Sequence, residues 1–261
     1  MNIHITDKSL VKNLEKATIA KVIVGSHMYG TNNEKSDIDY LNIYATSENE
    51  LLSVINTQHQ LQYKENGVDN LFVSLHTFIA NILSGDSPIN FEVVNSDQLI
   101  GTELEWLYDI RESFITYTTI RSYLGICRRD IKHFGRCKSE YDKKKKLGHI
   151  IRGAKYAESM LNLNWDFNNL NKSLDNDVDV STNKLLREWT KKVSELRNIL
   201  NEKFNNGSLG LAQKINVDSG IELTEKLLKY TKSNEFKIKQ SKLDNFSLNE
   251  FVNSYENWVN Y

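Results

Sequence analysis

Two aspartates separated by one residue are the most chemically suggestive feature of the sequence. Asp37 and Asp39 begin a stretch in which polar and apolar residues alternate as far as Tyr44, the pattern of a β-strand. Residues i and i+2 of a strand project from the same face, so the two carboxylates would lie side by side. Paired carboxylates raise one another's pKa unless a cation lies between them. Mg²⁺ prefers such hard oxygen ligands when nucleotide phosphates supply the others.

A glycine and a serine precede this pair in the sequence. The run from Lys21 to Val24 predicts a short buried strand that ends at Gly25. Glycine lets a phosphate approach the backbone closely, and Ser26 offers a hydroxyl and N–H donors at the start of a helical turn. An isolated Asp-x-Asp or Gly-Ser pair usually marks only a solvated strand edge or a turn. The combination favours a triphosphate cradle facing a metal-binding pair.

This arrangement resembles the signature of the DNA polymerase β-like nucleotidyltransferase superfamily, in which glycine-serine precedes aspartate-x-aspartate. The resemblance implies that Ser26, next to Gly25, holds the β- and γ-phosphates of an NTP. It implies that Asp37 and Asp39 bind two Mg²⁺ ions, for which Mn²⁺ can substitute. The connecting loop would be shaped by two hydroxyl residues, Thr31 and Ser36.

The superfamily also uses a third carboxylate, contributed by a neighbouring strand. Our choice is Asp69, because it begins the strand predicted over residues 68–75, and Glu65 is the alternative. In the two-metal scheme this third carboxylate can take the proton of the acceptor hydroxyl.

Two later segments extend the resemblance to a narrower group. Residues 76–94 are similar to the helix, turn and Pro-x-x-x-Glu segment of the RlaP-type nucleotidyltransferases associated with RNA repair. Residues 145–161 resemble the Lys-Lys-x-x-His-x-x-Arg helix of that group. This match implies that Lys145, His149 and Arg152 contact the triphosphate or an acceptor phosphate. The helical spacing predicts a polar face that contains these three residues and Tyr156.

Residues 121–155 are strongly basic, although the whole chain has a net charge of only −1. They contain twelve Lys and Arg residues and three acidic ones. Four of the cations are seven, four and four residues apart and would form one helical stripe: Arg121, Arg128, Lys132 and Arg136. Such a surface favours binding to the phosphates of a nucleic acid. The lysine run at 143–146 alone is more typical of a solvated helix face.

The periodicity predicts an α+β protein. A small mixed β-sheet flanked by helices would form a nucleotidyltransferase core over residues 1–105. A helical domain would follow over residues 106–261, ending in an amphipathic helix that begins near Ser247. We expect the active site in the cleft between them. The first residues contain no apolar run, so we expect no signal peptide, no membrane span and a cytoplasmic location.

The sequence thus predicts a Mg²⁺-dependent nucleotidyltransferase that transfers a nucleoside monophosphate from an NTP to an acceptor hydroxyl. RNA is the favoured acceptor because of the basic helices. One alternative is transfer of AMP to a protein or a small molecule. Another is a nucleotide- or RNA-binding module that has lost catalysis.

Overall fold

A computed structural model describes residues 2–34, 36–46, 60–165, 182–211 and 217–244 of the chain. Within these ranges the strands are β1 (Asn2–His4), β2 (Thr18–Val24), β3 (Ile38–Tyr44), β4 (Gln60–Glu65) and β5 (Val68–Ser74). The α-helices are α1 (Lys8–Ala17), α2 (Gly25–Met28), α3 (Leu75–Ser84), α4 (Pro88–Val94), α5 (Glu105–Asp109), α6 (Tyr117–His133), α7 (Glu140–Leu161), α8 (Thr182–Asn205), α9 (Val217–Thr231) and α10 (Asn234–Asp244). The amphipathic helix predicted near Ser247 lies outside the described residues.

The described strands form one mixed sheet in the order β1-β4-β5-β3-β2. The pairs β2–β3 and β4–β5 are antiparallel, whereas β3–β5 and β1–β4 are parallel. The α+β class and the small mixed sheet are therefore confirmed. Strands β1 and β4 were not predicted from the sequence. Strand β4 has the sequence QLQYKE, which offers too few apolar residues for a period to be recognised.

A two-residue turn connects β4 to β5. Asn66 and Gly67 both have positive φ, +51° and +76°, as a tight hairpin between twisted strands requires. The carbonyl of Gly67 accepts a hydrogen bond from the N–H of Ile38 at 2.9 Å. This contact joins the hairpin to the first residue of β3 and so fixes where β3 and β5 begin relative to each other.

The two faces of the sheet are covered differently. Phe72 of β5 and Leu61 of β4 pack with α1 and with Leu243 of α10 on one face. On the other face Leu41 and Val73 belong to a large buried cluster that includes residues of α3, α4, α6, α7 and α8. Strand residues alternate between the two faces of a sheet. Asp39 is two residues before Leu41 and Asp69 is four residues before Val73, so both aspartates point to this second face.

Helices α6 and α7 approach each other closely at a glycine. A Cβ on Gly153 of α7 would lie 2.7 Å from the Sγ of Cys127, which is buried in α6. The apolar residues Leu147, Ile150 and Ala154 of α7 are buried. None of the helices in the described ranges is both long enough and apolar enough to cross a membrane.

We expect Gly153→Ala to lower the free energy of unfolding by about 1–3 kcal/mol, because the added methyl overpacks the α6–α7 contact. Gly148→Ala in the same helix is the matched control, since its Cβ would meet nothing within 4 Å. The control should raise stability by about 0.5–1 kcal/mol through helix propensity. Urea unfolding measures both. A stabilising Gly153→Ala would show that the two helices are not in this close contact.

Candidate active site

The structure places the three predicted carboxylates at neighbouring positions, on the face of the sheet that packs against α3, α4, α6, α7 and α8. Asp39 of β3 and Asp69 of β5 occupy paired positions in the parallel register, and Asp37 immediately precedes β3. Glu65 projects from the opposite face, where it pairs with Lys8 at 2.7 Å. Asp69, and not Glu65, is therefore the carboxylate that lies beside the Asp-x-Asp pair.

These carboxylates repel one another, and the effect is greatest at the central one. Partial burial, followed by the charges of Asp69 and Asp37, raises the pKa of Asp39, while Lys145 and Lys64 act in the opposite direction. A group whose ionised form is disfavoured in this way is stabilised by any cation that binds next to it.

The two carboxylates on either side of Asp39, those of Asp37 and Asp69, each have one oxygen bound by a residue of β4. Lys64 forms an ion pair with Asp37, and the side-chain amide of Gln62 donates a hydrogen bond of 2.6 Å to Oδ2 of Asp69. The other oxygen of Asp69, Oδ1, is buried and has no hydrogen-bond partner among the described residues. A buried acceptor without a donor is costly, so this oxygen is suited to a ligand.

The donor set is the one that a divalent cation of the Mg²⁺ type requires, namely carboxylate oxygens on adjacent strands. In the described ranges no three His, Cys, Asp or Glu side chains yet converge in the geometry of a metal-ligand set. The contacts with Lys64 and Gln62 hold the outer carboxylates toward β4. The residues therefore fit such an ion provided that Asp37 exchanges its lysine partner for the ion.

The Gly-Ser turn lies directly against the central carboxylate. Val24 pairs with Asp39 across β2 and β3, and the next residue, Gly25, has a φ of +65°. A Cβ on Gly25 would collide with the carboxylate of Asp39. Both the backbone conformation and the contact thus require glycine at this position.

Backbone and hydroxyl contacts close the loop between the turn and β3. The carbonyl of Ser26 accepts hydrogen bonds from the N–H of Thr31 at 2.9 Å and from its hydroxyl at 3.4 Å. The hydroxyl of Ser36 accepts from the N–H of Asn33 at 2.9 Å. Thr31 and Ser36 thus both make hydrogen bonds within this loop. Asn33 also donates to the hydroxyl of Tyr141 in α7 at 3.4 Å, so α7 reaches this loop.

Two of the four residues that were predicted to form an exposed polar face of α7 are buried, so this prediction was wrong for them. Arg152 is only 9% exposed and Tyr156 is fully buried. The guanidinium of Arg152 lies 3.4 Å from the centre of the Tyr29 ring, a cation–π contact with the residue that follows α2. Helical spacing alone could not reveal this, because Arg152 is buried by a residue more than a hundred positions away.

A buried glutamate completes the environment of Arg152. Glu92, from the Pro-x-x-x-Glu segment, accepts hydrogen bonds from the hydroxyls of Tyr29 and, at 3.1 Å, of Tyr123. Burial raises the pKa of Glu92, and the charge of Arg152 and the two hydroxyls oppose that shift. Glu92 was not among the predicted site residues, although the segment that contains it was the signal that could have identified it.

A family model described as "RlaP: RNA repair pathway DNA polymerase beta family" matches residues 4–214. The chain belongs to this family. The description assigns the RlaP family to the DNA polymerase β type and to an RNA repair pathway. The RlaP match includes strands β2 to β5, Glu92 and α7, and it ends before α9.

One curated relative is an uncharacterized 38.9 kDa protein from the nrdC-mobD intergenic region of Enterobacteria phage T4. It is 25% identical to this RlaP chain over 132 residues, which is 45% of this chain and 39% of the phage protein. The match thus spans less than half the length of that relative. No solved structure matches the chain significantly.

The remaining predicted binding residues of the RlaP chain lie on the exposed sides of α6 and α7. Lys145 is exposed, and its charge lowers the pKa of Asp39. Local desolvation, followed by the positive charge of Arg152, lowers the pKa of His149 to about 4. The basic stripe is exposed along its whole length, with its last member in the turn after α6: Arg121, Arg128, Lys132 and Arg136.

We expect Glu92→Ala and Arg152→Ala each to lower the free energy of unfolding by about 3 kcal/mol, because each leaves a buried charge without its counter-charge. The double variant should cost less than the sum by more than about 0.5 kcal/mol. Lys144→Ala, at an exposed position of the same helix, serves as the control and should change little. Strictly additive costs in urea unfolding would mean that the two charges do not depend on each other.

Proposed function

We propose that this chain is a Mg²⁺-dependent nucleotidyltransferase that transfers a nucleoside monophosphate from an NTP to an acceptor hydroxyl on RNA. The observation that carries the proposal is the pairing of Asp39 with Asp69 across β3 and β5, with Asp37 beside them. Gly25 against the carboxylate of Asp39 supports it, because the turn can bring phosphates next to the same oxygens. The RlaP membership supports the class of reaction.

Asp37, Asp39 and Asp69 would hold two Mg²⁺ ions, with Mn²⁺ able to substitute. When bound, such ions neutralise the carboxylates, polarise the phosphate that is attacked and lower the pKa of the acceptor hydroxyl. In the reaction the acceptor oxygen forms a bond to the α-phosphorus while the bond from that phosphorus to pyrophosphate breaks. The charge to be stabilised therefore develops between the carboxylates and the Gly25-Ser26 turn.

The chain's own groups have separate tasks in this scheme. Asp69 can accept the proton of the attacking hydroxyl through Oδ1, since Gln62 already holds its other oxygen. The backbone and hydroxyl of Ser26 would bind the β- and γ-phosphates. Lys145, whose charge reaches Asp39, would offset negative charge on the pyrophosphate as it leaves.

RNA is the acceptor that the surface charge favours. The exposed cations of α6 form a row, which suits the repeated phosphates of a strand better than a single small acceptor. Transfer of AMP to a protein or a small molecule is the alternative that this observation does not favour. The presence of Asp37, Asp39 and Asp69 at neighbouring positions argues against a module that binds nucleotide without catalysing transfer.

We expect Asp37→Asn, Asp39→Asn and Asp69→Asn each to reduce transfer from labelled NTP to RNA by about 10²–10³-fold or more, the loss typical of a central electrostatic group. Glu65→Gln is the matched control, because Glu65 is a carboxylate on the opposite face of the same sheet. If the label were found in protein or in a small molecule and not in RNA, the acceptor would be that protein or small molecule. Unchanged transfer by the three variants would contradict the proposal.

A second prediction does not depend on turnover. Because partial burial, followed by the charges of Asp69 and Asp37, disfavours ionised Asp39, Asp39→Asn should raise the melting temperature of the metal-free protein. Mg²⁺ should then raise the melting temperature of the natural protein by binding only the folded state, and should do so less for the variant. Equal Mg²⁺ stabilisation of both proteins would show that the ion binds elsewhere.

A further inference from the structure

A cavity of about 490 Å³ lies between the end of α6 and the first half of α7. The lining shares Lys145 and His149 with the predicted triphosphate-binding residues and Arg136 with the basic stripe, and it contains none of the three aspartates. The lining includes four cations and two imidazoles: Arg136, Lys138, Lys145, Lys146, His133 and His149. A concave surface with this composition suits a compact anion such as a phosphate ester.

The acidic groups near the cavity do not neutralise it. Asp130 is buried beneath the cavity-lining residues and pairs with Lys146 at 3.5 Å and with Arg129 at 3.2 Å. Asp142 is the one acidic residue of the described lining, and its carboxylate accepts a hydrogen bond of 2.7 Å from the hydroxyl of Ser139.

Three of the lining cations are left without a carboxylate. Within the ranges that the structure describes, Arg136, Lys138 and Lys145 have no acidic oxygen within 4.0 Å. The lowered pKa of His149, to which the charges of Lys145 and Lys146 contribute after desolvation and Arg152, agrees with an excess of positive charge here. An anion in the cavity would relieve this repulsion.

The cavity connects two features of the molecule. Lys145 lines it, and the charge of the same residue acts on Asp39. Arg136 lines it and is the last member of the exposed stripe on α6, so the cavity adjoins that stripe. From Arg121 to Lys132 the helix rises about 16 Å at about 1.5 Å per residue, a length that spans several phosphates of an extended strand.

We infer that this cavity binds a phosphate group of the RNA strand whose hydroxyl is extended, close to the reacting end. The inference rests on the proposed function for the identity of the strand. A free nucleotide also carries phosphates, but it would be too short to contact the basic stripe that ends at Arg136. The turn at Gly25, which touches Asp39, is the position that we assign to the NTP.

The test measures RNA binding by the full-length protein with fluorescence anisotropy, in EDTA and without NTP. The probe is a fluorescein-labelled single-stranded RNA of about ten nucleotides, and the salt concentration is varied. The test variant is Arg136→Gln/Lys138→Gln. The matched control is Lys12→Gln/Lys16→Gln, which removes the same charge from exposed positions on α1, across the sheet.

We expect the test variant to bind RNA at least about tenfold more weakly near 0.1 M salt. Its plot of log K against log salt concentration should be shallower by about 0.7 for each phosphate contact that is lost. The control should change the affinity less than about twofold. Thermal unfolding of each variant shows whether the fold is retained, which is expected because the substituted side chains are exposed.

Two results would overturn the inference. One is RNA affinity and salt dependence equal to those of the natural protein. The other is loss of NTP affinity with RNA binding intact, which would assign the cavity to the nucleotide. Failure of the proposed function would give a different result. The natural protein would still bind RNA and the test variant would still bind it more weakly, but no nucleotide would be transferred.

Discussion

Mutual repulsion between carboxylates across two parallel strands is the constraint on which the rest of this site depends. The β3–β5 register puts Asp39 opposite Asp69, and the surrounding groups reduce the resulting cost. Lys64 pairs with Asp37, and Lys145 contributes a positive charge from α7. The turn at Gly25 has no side chain at the point of contact with Asp39, so backbone can approach those oxygens. An arrangement that disfavours its own charges in this way is one that cations would complete.

The helical half of the chain contributes to the site from both sides of α7. Its buried side carries Arg152, whose contact with the Tyr29 ring, together with the bond from Tyr29 to Glu92, ties the residue after α2 to the core. Its exposed side carries Lys145 and adjoins the basic cavity. One helix therefore both holds the segment that follows the Gly-Ser turn and supplies positive charge beside the carboxylates. The large buried cluster that joins the sheet to α3, α4, α6, α7 and α8 holds α7 in a fixed position for both roles.

Strands β3 and β5 could be predicted from the sequence because polar and apolar residues alternate along β3 and because β5 contains the apolar run Leu71–Val73. The choice between Asp69 and Glu65 could not be made from periodicity, since it depends on the register of the hairpin. The Asn66-Gly67 pair was the available signal, because a two-residue turn there pairs Lys64 with Asp69 and directs Glu65 to the other face. The burial of Arg152 depends on its contact with the distant Tyr29. The cavity depends on how α6 and α7 pack across the turn between them, which helical periodicity does not reveal.

The most direct measurement is a crystal structure of the protein with Mn²⁺ and a non-hydrolysable NTP, using the anomalous signal of manganese to locate the ions. Our account predicts manganese within bonding distance of Asp37, Asp39 and Asp69, with Lys64 displaced from Asp37 and the triphosphate against the Gly25-Ser26 turn. Manganese and nucleotide bound elsewhere, with the ion pair between Lys64 and Asp37 intact, would contradict it.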